Sequence, residues 1–339
     1  MNRLRLAGVA PGVLIVLALA VFPFVFSEHW VLNIAVFTLM YAALATSWNV
    51  VGGYTGYISL GNVAFFGLGA YAVAILFTRH MSVGSGYRPF YVLPLIGLAV
   101  GLVSVPIGWI AFRTRAATFA IVTLTLIFVA QQLAFNLHSL TNGSTGILLP
   151  LAPFPNSTFE QPFYYALLGV LVLALTICGW VRRSKLGLTL FAIRDDEDRA
   201  LGLGQRVTMA KLTAFSVSAG LTAMVGAIWA YYLGQIYPQF AFDPLITIGM
   251  VLMVYLGGKG TLWGPLVGAL VLVPAQQYLA YRLGGSELYL IGYAAVFLVV
   301  MLLMPRGILP SLAEQVRRRK PQSGSSATPT RPAEELVTP

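Results

Sequence analysis

The chain has 339 residues, 58% of them hydrophobic and only 9% charged, with a mean hydropathy of +0.80 and a net charge of +10. A soluble domain of this size could not hide so much apolar surface in one core, so the balance is that of a polytopic membrane protein with lipid as solvent for much of it. The single cysteine, Cys178, excludes a disulfide framework within the chain.

A helix needs about 20 apolar residues to cross the hydrocarbon core, which gives about ten candidate crossings. They fall near Ala7 to Phe26, Val31 to Val51, Tyr57 to Phe77, Tyr91 to Phe112, Ala116 to Leu137, Phe163 to Val181, Ala210 to Leu233, Leu245 to Leu256, Trp263 to Tyr281 and Leu288 to Met304. The run at Leu245 is too short to span alone. Arg3 and Arg5 before an apolar run containing Ala18, Leu19 and Ala20 resemble a cleavable signal peptide, but the run is long, leads straight into further spans and is read as an uncleaved first helix. The expected fold is therefore all-α: a transmembrane bundle of about ten helices over residues 1–310, followed by a polar tail, 311–339. That tail is rich in Pro, Ser and Thr and is expected to be disordered, with Arg317 to Lys320 anchoring against anionic headgroups.

Lys and Arg collect in alternate connections, as the positive-inside rule requires. Arg113 and Arg115 fall on one side, with Arg182, Arg183, Lys185, Arg194, Arg199, Arg206, Lys211, Lys259, Arg306 and the Arg317 to Lys320 run. The stretch His138 to Pro162 on the other side has no Lys or Arg, and Arg79 and Arg88 are exceptions. Both termini are then cytoplasmic.

No charged residue falls in the interior of these spans; Asp243 and Glu287 lie at outer edges. Intramembrane charge is the usual mark of ion-coupled transport, so a solute moved uphill would need another energy source. Two segments are broken by glycine, at Gly52, Gly53, Gly56 and Gly61, and at Gly257, Gly258, Gly260 and Gly264. Irregular backbone at membrane depth survives only where it lines a cavity or is buried in protein. The breaks are therefore part of a pathway or a means of close helix packing through small residues such as Gly67, Gly69 and Ala70. The stretch "GGKGT" from Gly257 is not a phosphate loop, because Met253 stands where its first glycine belongs and Gly260 where Ser or Thr should follow the lysine. The three histidines, His29, His80 and His138, fall at different span ends and suggest no metal site. No catalytic constellation is visible, and no cofactor is expected.

The stretch "AIRDDEDRALGLG" from Ala192 holds four of the eleven acidic residues, Asp195, Asp196, Glu197 and Asp198, in the largest inside connection, 182–209. Leu190, Ile193, Leu201 and Leu203 suggest one short amphipathic helix, with Arg194 and Asp198, and Asp195 and Arg199, at i,i+4. Gly202 and Gly204 would end it. On spacing alone it is a solvated helix closed by its own ion pairs or a docking surface. Consecutive carboxylates point in different directions along a helix, which argues against a metal site.

Five blocks in order, "SWNVVGGYTGYISLGNVAFFGLGAYAVAIL", "LTNGSTGI", "GLTLFAIRDDEDRALGLG", "KLTAFSVSAGLTAMVGAIWAYYLGQIYP" and "VLMVYLGGKGTLWGPLVGAL", resemble the permease subunits of bacterial ABC importers for branched-chain amino acids. They look most like the longer of the two paralogous permeases in those systems. Urea importers carry similar permeases, and a self-sufficient secondary transporter or channel for a small polar solute is the rival class. The resemblance implies a second permease, two cytoplasmic ATPase subunits that bind the ATP, a periplasmic solute-binding protein and location in the inner membrane. It makes the acidic stretch a coupling segment comprising Ile193, Arg194, Asp195, Asp196, Glu197, Asp198, Arg199, Leu201, Gly202 and Gly204. Tyr54, Thr55, Gly56, Ser59 and Asn62 would line the pathway. The chain departs from the family pattern at Tyr57, where Gln is common, and at Asn62, where His is common.

Overall fold

A computed structural model of the chain describes residues 10–26, 28–80, 86–283, 295, 298, 302 and 307–311. The expected tenth span and the tail 311–339 fall almost wholly outside these residues. The helices are α1 (Ala10–Val25), α2 (His29–Gly52), α3 (Asn62–Ile75), α4 (Arg88–Ala111), α5 (Ala116–Asn136), α6 (Glu160–Arg183), α7 (Lys185–Asp195), α8 (Glu197–Gly202), α9 (Val207–Leu233), α10 (Pro244–Gly257) and α11 (Gly264–Leu283). A two-residue strand, β1 (Ile147–Leu148), pairs antiparallel with β2 (Gln235–Ile236).

Among the described residues, seven helical segments are long and apolar enough to cross a membrane. The start of the expected first span, Ala7 to Phe26, lies outside the described residues, and its described part is helical over Ala10–Val25. Two expected boundaries change. The run expected to be too short at Leu245 is extended by a helical turn from Pro238, giving a 20-residue segment to Gly257. The third helix starts at Asn62 rather than Tyr57, because residues 53–61 form an irregular connection.

Helices α2 and α9 form the centre. Their most apolar windows are 83% and 78% buried, against 22% for α5, whose Ile121, Phe128 and Leu133 point outward. Helix α9 packs along α3, α4 and α2; α2 also packs against α6, α10 and α11. Small residues permit the closest crossings. A side chain at Gly220 would run into the Gly97 carbonyl of α4, and one at Gly69 into the Ala223 carbonyl of α9. The packing expected of Gly67 and Gly69 is thus present, Gly67 lying against the Phe242 ring.

Connections 53–61, 112–115, 184–206 and 258–263 share one end of the bundle, and the strand pair closes the opposite end. There the "LTNGSTGI" block turns through Asn142, the one described non-glycine residue with positive φ, at 57°. Arg113, Arg115, Arg182, Arg183, Lys185, Arg194, Arg199, Arg206 and Lys259 lie at the first end; Arg79, Arg88 and Arg282 lie at the second.

Candidate coupling site

The two glycine breaks are a single junction. Helix α2 ends at Gly52, and α10 ends at Gly257, after which Gly258 and Gly260 take φ of 122° and 76°. Such turns release peptide groups that need partners away from water. Asn49 supplies them across the junction. Its amide Nδ2 donates to the Thr261 carbonyl at 2.8 Å, and its Oδ1 accepts from the Gly260 N–H at 3.0 Å. Trp48 Nε1 donates to the Ser59 carbonyl at 2.7 Å, and Thr261 Oγ1 accepts from Gly264 N–H at 3.0 Å as α11 begins.

Arg194, in the last turn of α7, enters this junction. Its Nη1 donates to the Gly53 carbonyl at 3.1 Å, its aliphatic stem lies against Gly56, and its guanidinium borders Gly260. A side chain at Gly56, where φ is 80°, would be strained and would press on the Arg194 stem. Arg182 Nη1 donates to the Gly260 carbonyl at 3.5 Å.

The acidic stretch is not one helix. The chain breaks at Asp196, whose φ of −162° is extended. Its carboxylate caps α8 by accepting from Arg199 N–H at 3.0 Å and pairs with Arg199 Nε at 3.0 Å. The expected i,i+4 pairs Arg194 with Asp198 and Asp195 with Arg199 therefore do not form. Arg194 is drawn to Gly53 instead, and Asp198 meets Arg115 at 3.5 Å in an exposed contact. The apolar residues also divide. Leu190 and Ile193 are buried in this chain's own core, while Leu188, Leu201 and Leu203 are exposed. Ile193 thus presents no docking surface in this arrangement. Gly202 ends α8, and Gly204 follows with φ of 73°.

Glu197 makes the second attachment. Its Oε1 accepts from Lys211 Nζ at 2.6 Å, and its Oε2 accepts from the Tyr57 hydroxyl. Lys211 also donates to the Tyr57 oxygen at 3.2 Å and lies 4.2 Å above the Tyr57 ring centroid and 5.3 Å above that of Phe112. Lys211, expected in a solvated connection, is instead buried one turn into α9. The cation is accommodated because a carboxylate, a hydroxyl and two aromatic faces replace its water. Burial and the adjacent Glu197 carboxylate push the Tyr57 hydroxyl above its ordinary value, so at neutral pH it stays a donor. At the opposite end a second charged group is buried: Glu160, in the first turn of α6, lies 3.1 Å from His29 Nδ1.

Of the residues expected along a pathway, Thr55 and Gly56 border a cavity of about 480 Å3, together with Arg113, Arg115 and the carboxylates Asp195 to Asp198. Tyr54, Ser59 and Asn62 are closed into the core. Ser59 Oγ donates to Asn62 Oδ1 at 2.8 Å, and Asn62 Nδ2 donates to Ser218 Oγ of α9 at 2.9 Å. Tyr54 sits against the Phe191 ring of α7, 5.3 Å between centroids. Lys211, Asn49 and Arg182 are the residues that sequence reasoning did not single out for this site. The one signal pointing there was the unusual Tyr57. Among the described residues no three His, Cys, Asp or Glu side chains come together as a metal would need.

Among the described residues, seven apolar helices long enough to cross a membrane, with broken backbone buried at one end under a polar loop, are the architecture of a polytopic membrane protein. The profile of the family described as branched-chain amino acid transport system, permease component, matches residues 30–305, and the chain belongs to that family. It is 29% identical to the high-affinity branched-chain amino acid transport permease LivM of Salmonella typhimurium, over 91% of this chain and 76% of the relative. The Escherichia coli K12 LivM is 28% identical over 90% and 75%. The permease LivH of S. typhimurium is 24% identical over 79% of this chain and 91% of that one. No solved structure matches it.

Proposed function

We propose that this chain is one permease subunit of an ATP-driven importer for branched-chain or related amino acids in a bacterial inner membrane. Its partners are a second, paralogous permease, two cytoplasmic ATPase subunits that bind and hydrolyse the ATP, and a solute-binding protein on the opposite side. Loop 182–209 and both termini face the ATPases. The likeness to both LivM and LivH supports the substrate class and the pairing of two permeases. The concentration of Lys and Arg at the loop end supports the orientation.

The observation that carries the reading is the double attachment of the loop. Arg194 holds it to the first glycine break and Glu197 holds it to Tyr57 and Lys211. The same loop exposes Leu188, Leu201 and Leu203 for a partner. A push on those leucines is delivered to the backbone where α2 ends and α9 begins. Closure of the ATPase pair on ATP then biases the bundle between two states to the extent that ATP binds one better than the other.

Reconstitution of the complete importer in proteoliposomes tests this. Leucine uptake should require ATP on the loop side and all partner subunits. Leucine uptake by the two permeases without ATPases would overturn the reading in favour of a channel, and urea uptake without leucine uptake would overturn the substrate class.

A further inference from the structure

At the end of the bundle opposite the coupling loop, a cavity of about 340 Å3 opens between α2, α9, α10 and α11. Its lining contains one ionisable carboxylate, Asp243, and no Lys or Arg. Asp243 Oδ1 is occupied, accepting from Leu245 N–H at 2.9 Å as the cap of α10. No cation pairs with the carboxylate among the described residues. Gln276 and Gln277 of α11 also border the cavity, and neither side-chain amide makes a hydrogen bond among the described residues. Two adjacent amides in an apolar helix are costly unless they face water or a ligand. Trp229, Phe240 and Leu233 supply the apolar remainder of the wall.

This set is selective. One negative charge beside an aromatic face receives an ammonium group. Amide N–H groups receive a carboxylate without a fixed positive charge. The aromatic and leucine side chains receive an apolar side chain. We propose that this cavity is a binding site for a free α-amino acid with an apolar side chain. The ammonium lies at Asp243, the carboxylate at the Gln276 and Gln277 amides, and the side chain among Trp229, Phe240 and Leu233. The inference rests on the amino-acid importer reading and names where within this subunit the solute is held.

The test uses the assembled importer in proteoliposomes. Cys178 is fully buried, so Gln235→Cys, on the cavity wall but outside the proposed ligand set, introduces the one accessible thiol of this chain. A membrane-impermeant thiosulfonate added on the side away from the ATPases should modify it. Leucine at about ten times its dissociation constant should slow that modification about tenfold, since only the unoccupied fraction reacts. The deaminated analogue 4-methylpentanoate should give no protection. Asp243→Asn keeps an oxygen to cap α10 and removes only the charge, and should abolish protection by leucine without lowering the melting temperature. If the double variant fails to assemble, the contrast between leucine and 4-methylpentanoate on Gln235→Cys alone decides. A thiol that does not react in the assembly, or equal rates with and without leucine while leucine uptake persists, overturns the site and leaves the importer reading standing. Absence of amino-acid uptake by the unaltered assembly overturns both.

Discussion

Glu197 Oε1 lies 2.6 Å from Lys211 Nζ, and the lysine side chain is only 3% exposed. The pair joins the loop helix α8 to the start of the central helix α9, with the Tyr57 hydroxyl bonded to both partners. Breaking a buried pair by removing one member leaves an uncompensated charge, typically at a cost of about 3–5 kcal/mol, whereas replacing both is often neutral. Glu197 is partly solvated, so the lower end of that range applies. Lys211→Met and Glu197→Gln should each lower the stability of the purified assembly by about 3 kcal/mol or somewhat less, and the double variant should recover most of the loss. A denaturation cycle over the four proteins checks this, and simple addition of the two losses would show that the pair is not coupled.

Arg194 is a different kind of attachment, because its partner is a backbone carbonyl at a glycine break and not a charge. A hydrogen bond from a charged donor contributes about 1.5–3 kcal/mol when buried, and less where water competes for the donor. Arg194 is exposed, so Arg194→Ala should cost about 1 kcal/mol of stability or less. It should also raise the number of ATP molecules hydrolysed per leucine delivered, because the loop then moves without carrying Gly53. Arg194→Lys should recover little, since one ammonium on a flexible stem does not reproduce the guanidinium set between Gly53 and Gly260. Measuring uptake and ATP hydrolysis on the same vesicles separates the two effects; an unchanged ratio in Arg194→Ala would remove Arg194 from the coupling route.

Much of this was visible in the chain itself. The runs of apolar residues marked most of the crossings, and the glycines at 52–61 and 257–264 marked where helices stop, because glycine carries a backbone penalty that a spanning helix would avoid without reason. What was not visible depends on contacts distant in sequence. Leu190 to Leu203 has spacing that suits one helix. The helix breaks at Asp196, and the residue that follows, Glu197, is held by Tyr57, 140 positions away. Lys211 looks like any other cation at a loop end until Tyr57 and Phe112 are folded over it. Likewise nothing near Asn49 announces that its carboxamide closes a break 212 residues later.

Asn49 therefore makes a sharp prediction. Its side chain satisfies a donor and an acceptor of the second break at once, and Asn49 itself is buried. Asn49→Leu keeps the branched heavy-atom skeleton, though its methyl groups are bulkier, and leaves Gly260 N–H and the Thr261 carbonyl without this partner, at about 1–3 kcal/mol for each group. Asn49→Asp keeps the acceptor for Gly260 but sets a carboxylate oxygen against the Thr261 carbonyl. Both should reduce thermal stability and the yield of assembled importer, with Asn49→Asp recovering as the pH is lowered and the carboxyl regains a proton to donate. A stable, fully active Asn49→Leu would show that the two breaks are held together without this bridge.

The loop's leucines and its isoleucine should respond in opposite ways to the same substitution. Ile193 is 3% exposed, whereas Leu201 and Leu203 are 51% and 79% exposed on the same short loop. Ile193→Asp places a carboxylate in the core without a partner, a change of the kind that costs more than about 4 kcal/mol, and should prevent assembly of the subunit. Leu201→Asp and Leu203→Asp expose a polar group where an apolar one already met water, so stability should stay within about 0.5 kcal/mol. Their effect should fall on the partner instead. Removing apolar anchors from a docking surface weakens it even when the fold is intact, so ATP hydrolysis stimulated by the loaded binding protein should fall while the permease pair still forms. Co-purification of the ATPase subunits with each variant reads out docking, and the melting temperature of the permease pair reads out folding. Full ATPase retention in Leu201→Asp/Leu203→Asp would place the docking surface elsewhere on this end of the bundle.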